Sequence, residues 1–255
     1  MSDKYLSWNP ADLIDRLVSE LKEWLDRHEQ YEENGMRWKK GLAFIGAPGT
    51  GKGTAVELLA SRTGLAIYTI DLSEKDLESS AIRLRISFAP VPSIIAFDEI
   101  DKVRPEILNA MLPILDGPTA IEGYVIVMMT NDTANLSKPL LRDGRVDKTV
   151  EFQLASRDSA AELFKGIVGG DELLAGRFGE IAQNRSPAKI QSYLRDRVGE
   201  PEKAMADAVD HFRSRTEQEA ETAGKPVESV NPDVQAGGGK EQTPQKDAAQ
   251  GSTAA

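Results

Sequence analysis

The sequence predicts an α/β fold: a parallel sheet sandwiched by helices, followed by a small α-helical lid domain. Three observations carry this. Short apolar runs of strand length alternate with helical periodicities between Leu42 and Phe152. The first of these runs opens into a Gly-rich turn directly before a helix. From Arg157 onward the periodicity is helical throughout, with no convincing strand.

Taken in order, Asn9-Pro10 sets a capping residue before a proline at the first helical position. Leu13, Ile14, Leu17, Leu21, Trp24 and Leu25 then recur at helical spacing to about His28. Residues 1–40 are thus an N-terminal helix and a polar lead-in. Leu42–Ile45 reads as a buried strand, followed by the turn and a helix through Val56, Leu58, Leu59 and Ala60. Ala66–Ile70 is a second strand. Ser73 with Asp76 three residues on resembles a capping box, and predicts the start of a helix carrying Leu77, Ala81, Ile82 and Leu84. Ile94–Phe97 is a third strand, ending in acids. Ile107, Leu108, Met111, Leu112 and Leu115 mark the next helix; Val125–Met129 and Thr149–Phe152 are the fourth and fifth strands. This alternation implies a parallel sheet covered on both faces, over residues 41–155.

Helices are predicted at 157–168, 171–183, 187–197 and 201–213, so the lid spans 156–214. Beyond Phe212 the chain has no aromatic, Leu, Ile or Met. Residues 215–255 cannot bury enough apolar surface to offset chain entropy, and are expected to be a disordered tail.

Composition excludes several classes of function. There are no cysteines, which removes disulfides, zinc ribbons and thiol nucleophiles. The two histidines, His28 and His211, lie on polar helical stretches and read as surface residues. A net charge of −10 disfavours sequence-independent nucleic-acid binding, and no nucleic-acid partner is expected. No apolar run approaches the roughly 20 residues that span a bilayer, and Met1–Pro10 lacks the character of a signal peptide. The expectation is a cytoplasmic protein, with the sequons at Asn131 and Asn135 chance matches.

Gly46-Ala47-Pro48-Gly49-Thr50-Gly51-Lys52-Gly53-Thr54 lies between a strand and a helix, the context of a phosphate-binding loop. Its glycines let backbone N–H groups converge on phosphate oxygens, and the helix turns its positive end to the same anion. Lys52 supplies a full charge for the β- and γ-phosphates. A hydroxyl directly after the lysine usually holds Mg²⁺, but here that position is Gly53 and the hydroxyl comes at Thr54. Water can fill such a place, because Mg²⁺ usually keeps several waters. Ser93–Asp101 is an apolar strand ending in acids: Asp98 suits the Mg²⁺ shell, and Glu99 suits a role in polarising an attacking water. Asn131 ends the fourth strand, where it either holds that water or touches the γ-phosphate, or is simply a turn asparagine. Arg142 and Arg145 lie three apart near a turn. They either stabilise charge across a subunit boundary or make surface ion pairs. Met128 and Met129 read as core.

Together these segments resemble the AAA ATPases, and within them the branch of the mitochondrial chaperone that moves the Rieske iron–sulfur subunit. The resemblance rests on Asp12–Trp24 with Gly35–Gly41, on Ile94–Asp101, on Ile107–Asn131, on Arg142–Asp147, and on Ser186–Leu194 with Glu200–Ala208. It covers about residues 12–210. It implies a homo-oligomeric ring of six or seven subunits, ATP with Mg²⁺ at each interface, and hydrolysis that moves an unidentified protein client. Asp98 and Glu99 would act in cis, and Arg142 and Arg145 in trans. The departures are Gly53, Asp143 in place of the family's proline, no membrane anchor, no client-facing domain before residue 12, and no aromatic pore loop in Asp71–Ala81. Only the motor module transfers. Two alternatives stay open. One is a nucleotide-gated scaffold with little hydrolysis, suggested by Gly53. The other is a nucleotide kinase, suggested by the Gly-Lys-Gly-Thr of the adenylate-kinase loop.

Overall fold

The structure is a computed structural model that describes residues 13–117, 120–131, 138–142 and 144–223. Five strands form one parallel sheet: β1 (Lys39–Gly46), β2 (Ala66–Asp71), β3 (Ser93–Asp98), β4 (Tyr124–Thr130) and β5 (Lys148–Phe152). Their spatial order is β2-β3-β4-β1-β5. Five helices accompany the sheet: α1 (Leu13–Asp26), α2 (His28–Glu33), α3 (Lys52–Thr63), α4 (Ser79–Ser87) and α5 (Pro105–Leu115).

Because side chains alternate across a strand, each apolar run feeds two cores. Leu42, Phe44, Ile94, Ala96, Val127 and Met129 pack on one face with α1 and α3. Ile45, Ile95, Phe97, Ile126 and Met128 pack on the other with α4 and α5. All seven residues of β4 are buried, which is why the central strands read as unbroken apolar runs. Met128 and Met129 are core, as expected, one on each face. α1 turns Ile14, Leu17, Val18, Leu21 and Trp24 inward, and Asp15 pairs with Arg62 of α3. Trp24 stacks on Trp38 with ring centroids 4.6 Å apart, tying the N-terminal helix to the start of β1.

Two local expectations are corrected. α2 was expected to be part of a polar lead-in; it has no buried residue, so no apolar period announces it. The helix expected to start at Ser73 starts at Ser79 instead. Ser73 makes a local turn, its N–H and hydroxyl both donating to Asp71 Oδ1 at 2.8 and 2.7 Å. A short hydroxyl side chain near an acid serves a turn as readily as a cap. Leu77 is buried before the helix, and Leu84 is exposed on it.

Four helices follow: α6 (Arg157–Ile167), α7 (Glu172–Ala182), α8 (Pro187–Arg195) and α9 (Pro201–Ala223). Three have side-chain N-caps, from Ser156, Asp171 and Ser186. Phe164, Phe178, Tyr193 and Phe212 form their aromatic core, and the Tyr193 hydroxyl donates to the Ala204 carbonyl at 2.6 Å. α9 continues past the expected end at 213 to Ala223; the remainder of the expected tail, 224–255, lies outside the described residues. Up to Thr216 the described residues belong to one compact unit. Among the described residues, no helix is long and apolar enough to cross a membrane.

Candidate functional site

The strand order sets the C-terminal ends of β3, β4 and β1 side by side. β1 passes to α3 on one face of the sheet, while α4 and α5 return along the other. A crevice beyond the strand ends follows from that reversal. The loop after β1 rises over this crevice. Gly49 (φ +76°) and Gly51 (φ +101°) take the left-handed conformation that side chains resist, and Gly51 caps α3. The loop therefore closes directly onto a helix N-terminus, whose free N–H groups and dipole favour an anion.

Lys52, the first residue of α3, is only 8% exposed. Its ammonium donates to the Gly46 carbonyl at 2.6 Å, the Ala47 carbonyl at 3.1 Å and Asn131 Oδ1 at 2.8 Å. Burial holds this lysine below its ordinary range, partly offset by Asp98 and Asp101. Thr50 is fully buried, and its hydroxyl donates to the Ala47 carbonyl at 2.8 Å.

Asp98 ends β3, and its Oδ1 accepts the Glu99 N–H at 2.8 Å. Glu99 lies at φ +53°, an uncommon conformation for a residue other than glycine, and begins the 3₁₀ turn Ile100–Lys102. Its carboxylate accepts from Lys102 Nζ at 2.7 Å. Asp98, Glu99, Asn131 and Lys52 border one cleft of ≈ 440 Å³, within the size range of ligand sites. Pro48, Gly49, Gly51, Gly53 and Thr54 form its rim. Gly46, Ala47 and Thr50 stand behind that rim and hold the lysine and the turn.

The two arginines do not line this cleft. Arg142 is exposed. The Arg145 side chain is 12% exposed; it donates to the Pro139 carbonyl at 2.5 Å and lies 4.0 Å from Asp116 Oδ2. The same turn is fastened to β1, with the Gly41 N–H donating to Asp147 Oδ2 at 2.7 Å.

Sequence reasoning missed four contributors. Asp101 accepts from the Thr130 hydroxyl and the Asn131 N–H. Ala188 and Gln191 of α8 line the cleft, and the Ala188 N–H donates to the Gly49 carbonyl at 3.1 Å. Glu57, one turn after Gly53, lines it too. A helix was expected at 187–197, but nothing local shows that its start meets the phosphate loop.

Residues 42–154 match the sequence profile of the ATPase family associated with various cellular activities (AAA). This stretch is an AAA domain. Around it, the chain is 28% identical over 218 residues to the probable mitochondrial chaperone BCS1-A of Dictyostelium discoideum, covering 77% of this chain and 52% of that one. It is 27% identical over 218 residues to the human mitochondrial chaperone BCS1, with the same coverage. It is 32% identical over 173 residues to the ATP-dependent zinc metalloprotease FtsH 2 of a Thermoanaerobacter species, covering 60% of this chain and 34% of that one. The chain spans about half the length of the curated chaperone relatives it matches. The loop around Lys52, the acids at the end of β3 and Asn131 all fall inside the AAA domain; α6, α7, α8 and α9 follow it.

Proposed function

We propose that this protein binds ATP with Mg²⁺ in the cleft above β1, β3 and β4, hydrolyses it, and uses the cycle to remodel or move a protein client from within a homo-oligomeric ring. One observation carries this reading: Lys52, Asp98, Glu99 and Asn131 come from three neighbouring strand ends and border a single cleft.

The loop N–H groups and Lys52 bind the phosphates. On binding, phosphate oxygens take over the Lys52 ammonium from the carbonyls it now meets. Among the described residues no cluster of three His, Asp or Glu could cage a metal ion. Asp98 and Thr54 line the cleft, a sparse oxygen donor set of the kind that suits Mg²⁺, which is commonly held by one or two protein oxygens plus substrate phosphates. Asp98 would hold it with Thr54, which also faces the cleft. The bound ion supplies charge neutralisation at the phosphates. Glu99 orients and polarises the attacking water once it leaves Lys102, and Asn131 fixes that water or the γ-phosphate. An arginine from the adjoining subunit stabilises the charge that develops, and exposed Arg142 is the better placed. A cytoplasmic location is part of the same proposal.

The test is Glu99→Gln. The variant is expected to bind ATP as the native protein does and to lose about 10²–10⁴ in turnover, the usual worth of a general base. Undiminished hydrolysis removes Glu99 from its role. Background phosphate release from native protein that binds ATP and forms rings favours the scaffold reading, for which Gly53 is the specific observation.

A further inference from the structure

Asp101 lies three residues beyond Asp98, in the 3₁₀ turn Ile100–Lys102, and does not line the nucleotide cleft. Its Oδ1 nonetheless takes two hydrogen bonds from the end of β4: the Thr130 hydroxyl at 2.9 Å and the Asn131 backbone N–H at 3.1 Å. Thr130 is buried, 1% exposed, so its hydroxyl has no water to turn to. The Asn131 side chain then points its Oδ1 at Lys52 Nζ, 2.8 Å away. A continuous path therefore runs from Asp101 through the Asn131 backbone and side chain to the Lys52 ammonium. The Asp101 charge is also felt at Lys52, where it offsets part of the effect of burial.

We infer that Asp101 is the positioning residue for Asn131. Its carboxylate clamps the end of β4 so that the asparagine amide faces the γ-phosphate position, and the protein distinguishes ATP from ADP through that clamp. The inference rests on the proposed nucleotide site. Without the clamp, the Asn131 peptide is free to turn as the residue after a strand ordinarily does. The loop around Lys52 is held independently, by the Thr50 hydroxyl on the Ala47 carbonyl and the Ala188 N–H on the Gly49 carbonyl, and stays in place. The loss therefore falls on contacts to the third phosphate and spares those to the first two.

The chemistry of Asp101 separates geometry from charge. Asparagine keeps an acceptor oxygen in the same place and removes the charge; alanine removes both. Thr130→Val keeps the buried shape and removes one of the two donors.

The experiment is titration of ATP and of ADP, with Mg²⁺, into the native full chain, Asp101→Asn, Asp101→Ala and Thr130→Val, followed by turnover. The native protein is expected to prefer the triphosphate. Asp101→Ala is expected to lose about tenfold of that preference, the worth of one well-made hydrogen bond, while its ADP affinity stays within about twofold of native. Asp101→Asn is expected to keep most of the preference, and Thr130→Val to fall between. Turnover is expected to follow the same order, with KM for ATP rising as the affinity for ATP falls. The inference is overturned if Asp101→Ala keeps the native preference, if asparagine and alanine fall equally, or if ADP affinity falls in step with ATP affinity. Should Asp101→Ala fail to fold, Thr130→Val decides: a native ATP preference and KM there overturn the inference. Native protein that binds neither nucleotide overturns the nucleotide site itself, and with it this inference. Native binding with an indifferent Asp101→Ala overturns the inference alone.

Discussion

The same chemical change, one methyl group, is predicted to act in opposite directions at two glycines of the phosphate loop. At Gly49, φ is +76°, and an added Cβ meets the Ala188 Cβ at 2.9 Å and the Ser186 hydroxyl at 3.2 Å. Gly49→Ala therefore takes on a left-handed penalty of about 1–2 kcal/mol and an overpacking cost of about 1–3 kcal/mol. At about 2–4 °C per kcal/mol for a domain of this size, the melting temperature falls by about 4–20 °C. Gly53 is the second residue of α3, and no heavy atom lies within 4 Å of its Cβ position. Gly53→Ala instead gains about 0.5–1 kcal/mol of helix propensity and raises the melting temperature by about 1–4 °C. Gly53→Ser places a hydroxyl directly after Lys52, and lowers the Mg²⁺ concentration needed for half-maximal nucleotide binding. Thermal unfolding followed by circular dichroism, with and without ATP and over a range of Mg²⁺ concentrations, reads all three variants. Equal destabilisation by alanine at 49 and 53 refutes the geometric argument. An unchanged Mg²⁺ requirement in Gly53→Ser refutes the assignment of that face of α3 to the metal.

The other perturbations test charge. Arg145→Ala is expected to lower stability by about 1–3 kcal/mol, because its guanidinium is enclosed and bonded to the Pro139 carbonyl. Arg142→Ala is expected to melt like the native protein and to lose about 10³-fold or more of turnover at concentrations where subunits associate. A reversal of those two phenotypes contradicts the division of roles. Burial lowers Lys52 below its ordinary 10.5, so the folded protein sheds this proton before the unfolded chain does. In that alkaline window the unfolded state binds more protons, and the Lys52 contribution to stability rises with pH while affinity for ATP falls. ATP titrations from neutral to alkaline pH, on native protein and Lys52→Met, check this. An affinity that holds steady up to 10.5 contradicts it.

The strands were legible because both faces of β3, β4 and β1 are buried, which writes an apolar run into the sequence with little ambiguity. The loop was legible because glycine, lysine and a following helix have few other uses in that order. What escaped notice has a common cause. α2 buries nothing, so its sequence bears no period. Ser73 near an acid fits a cap and a turn equally well, and only the path of the backbone decides. Asp101 looked like one more acid in a run, since its partners Thr130 and Asn131 are far along the chain. Ala188 and Gln191 carry no chemical signature, and enter the site because α8 docks on Gly49. Arg142 and Arg145 look alike in sequence, yet one faces solvent and the other is enclosed by a turn that folds against β1.

Electron microscopy of the native protein with Mg²⁺ and a slowly hydrolysed ATP analogue bears most directly on the shared site. The expected map shows a closed ring, the triphosphate between the loop around Lys52 and the side chains of Asp98 and Asn131, and Arg142 of a neighbouring subunit at the γ-phosphate. Nucleotide bound elsewhere, or unassembled protein with that cleft empty at saturating analogue, contradicts it.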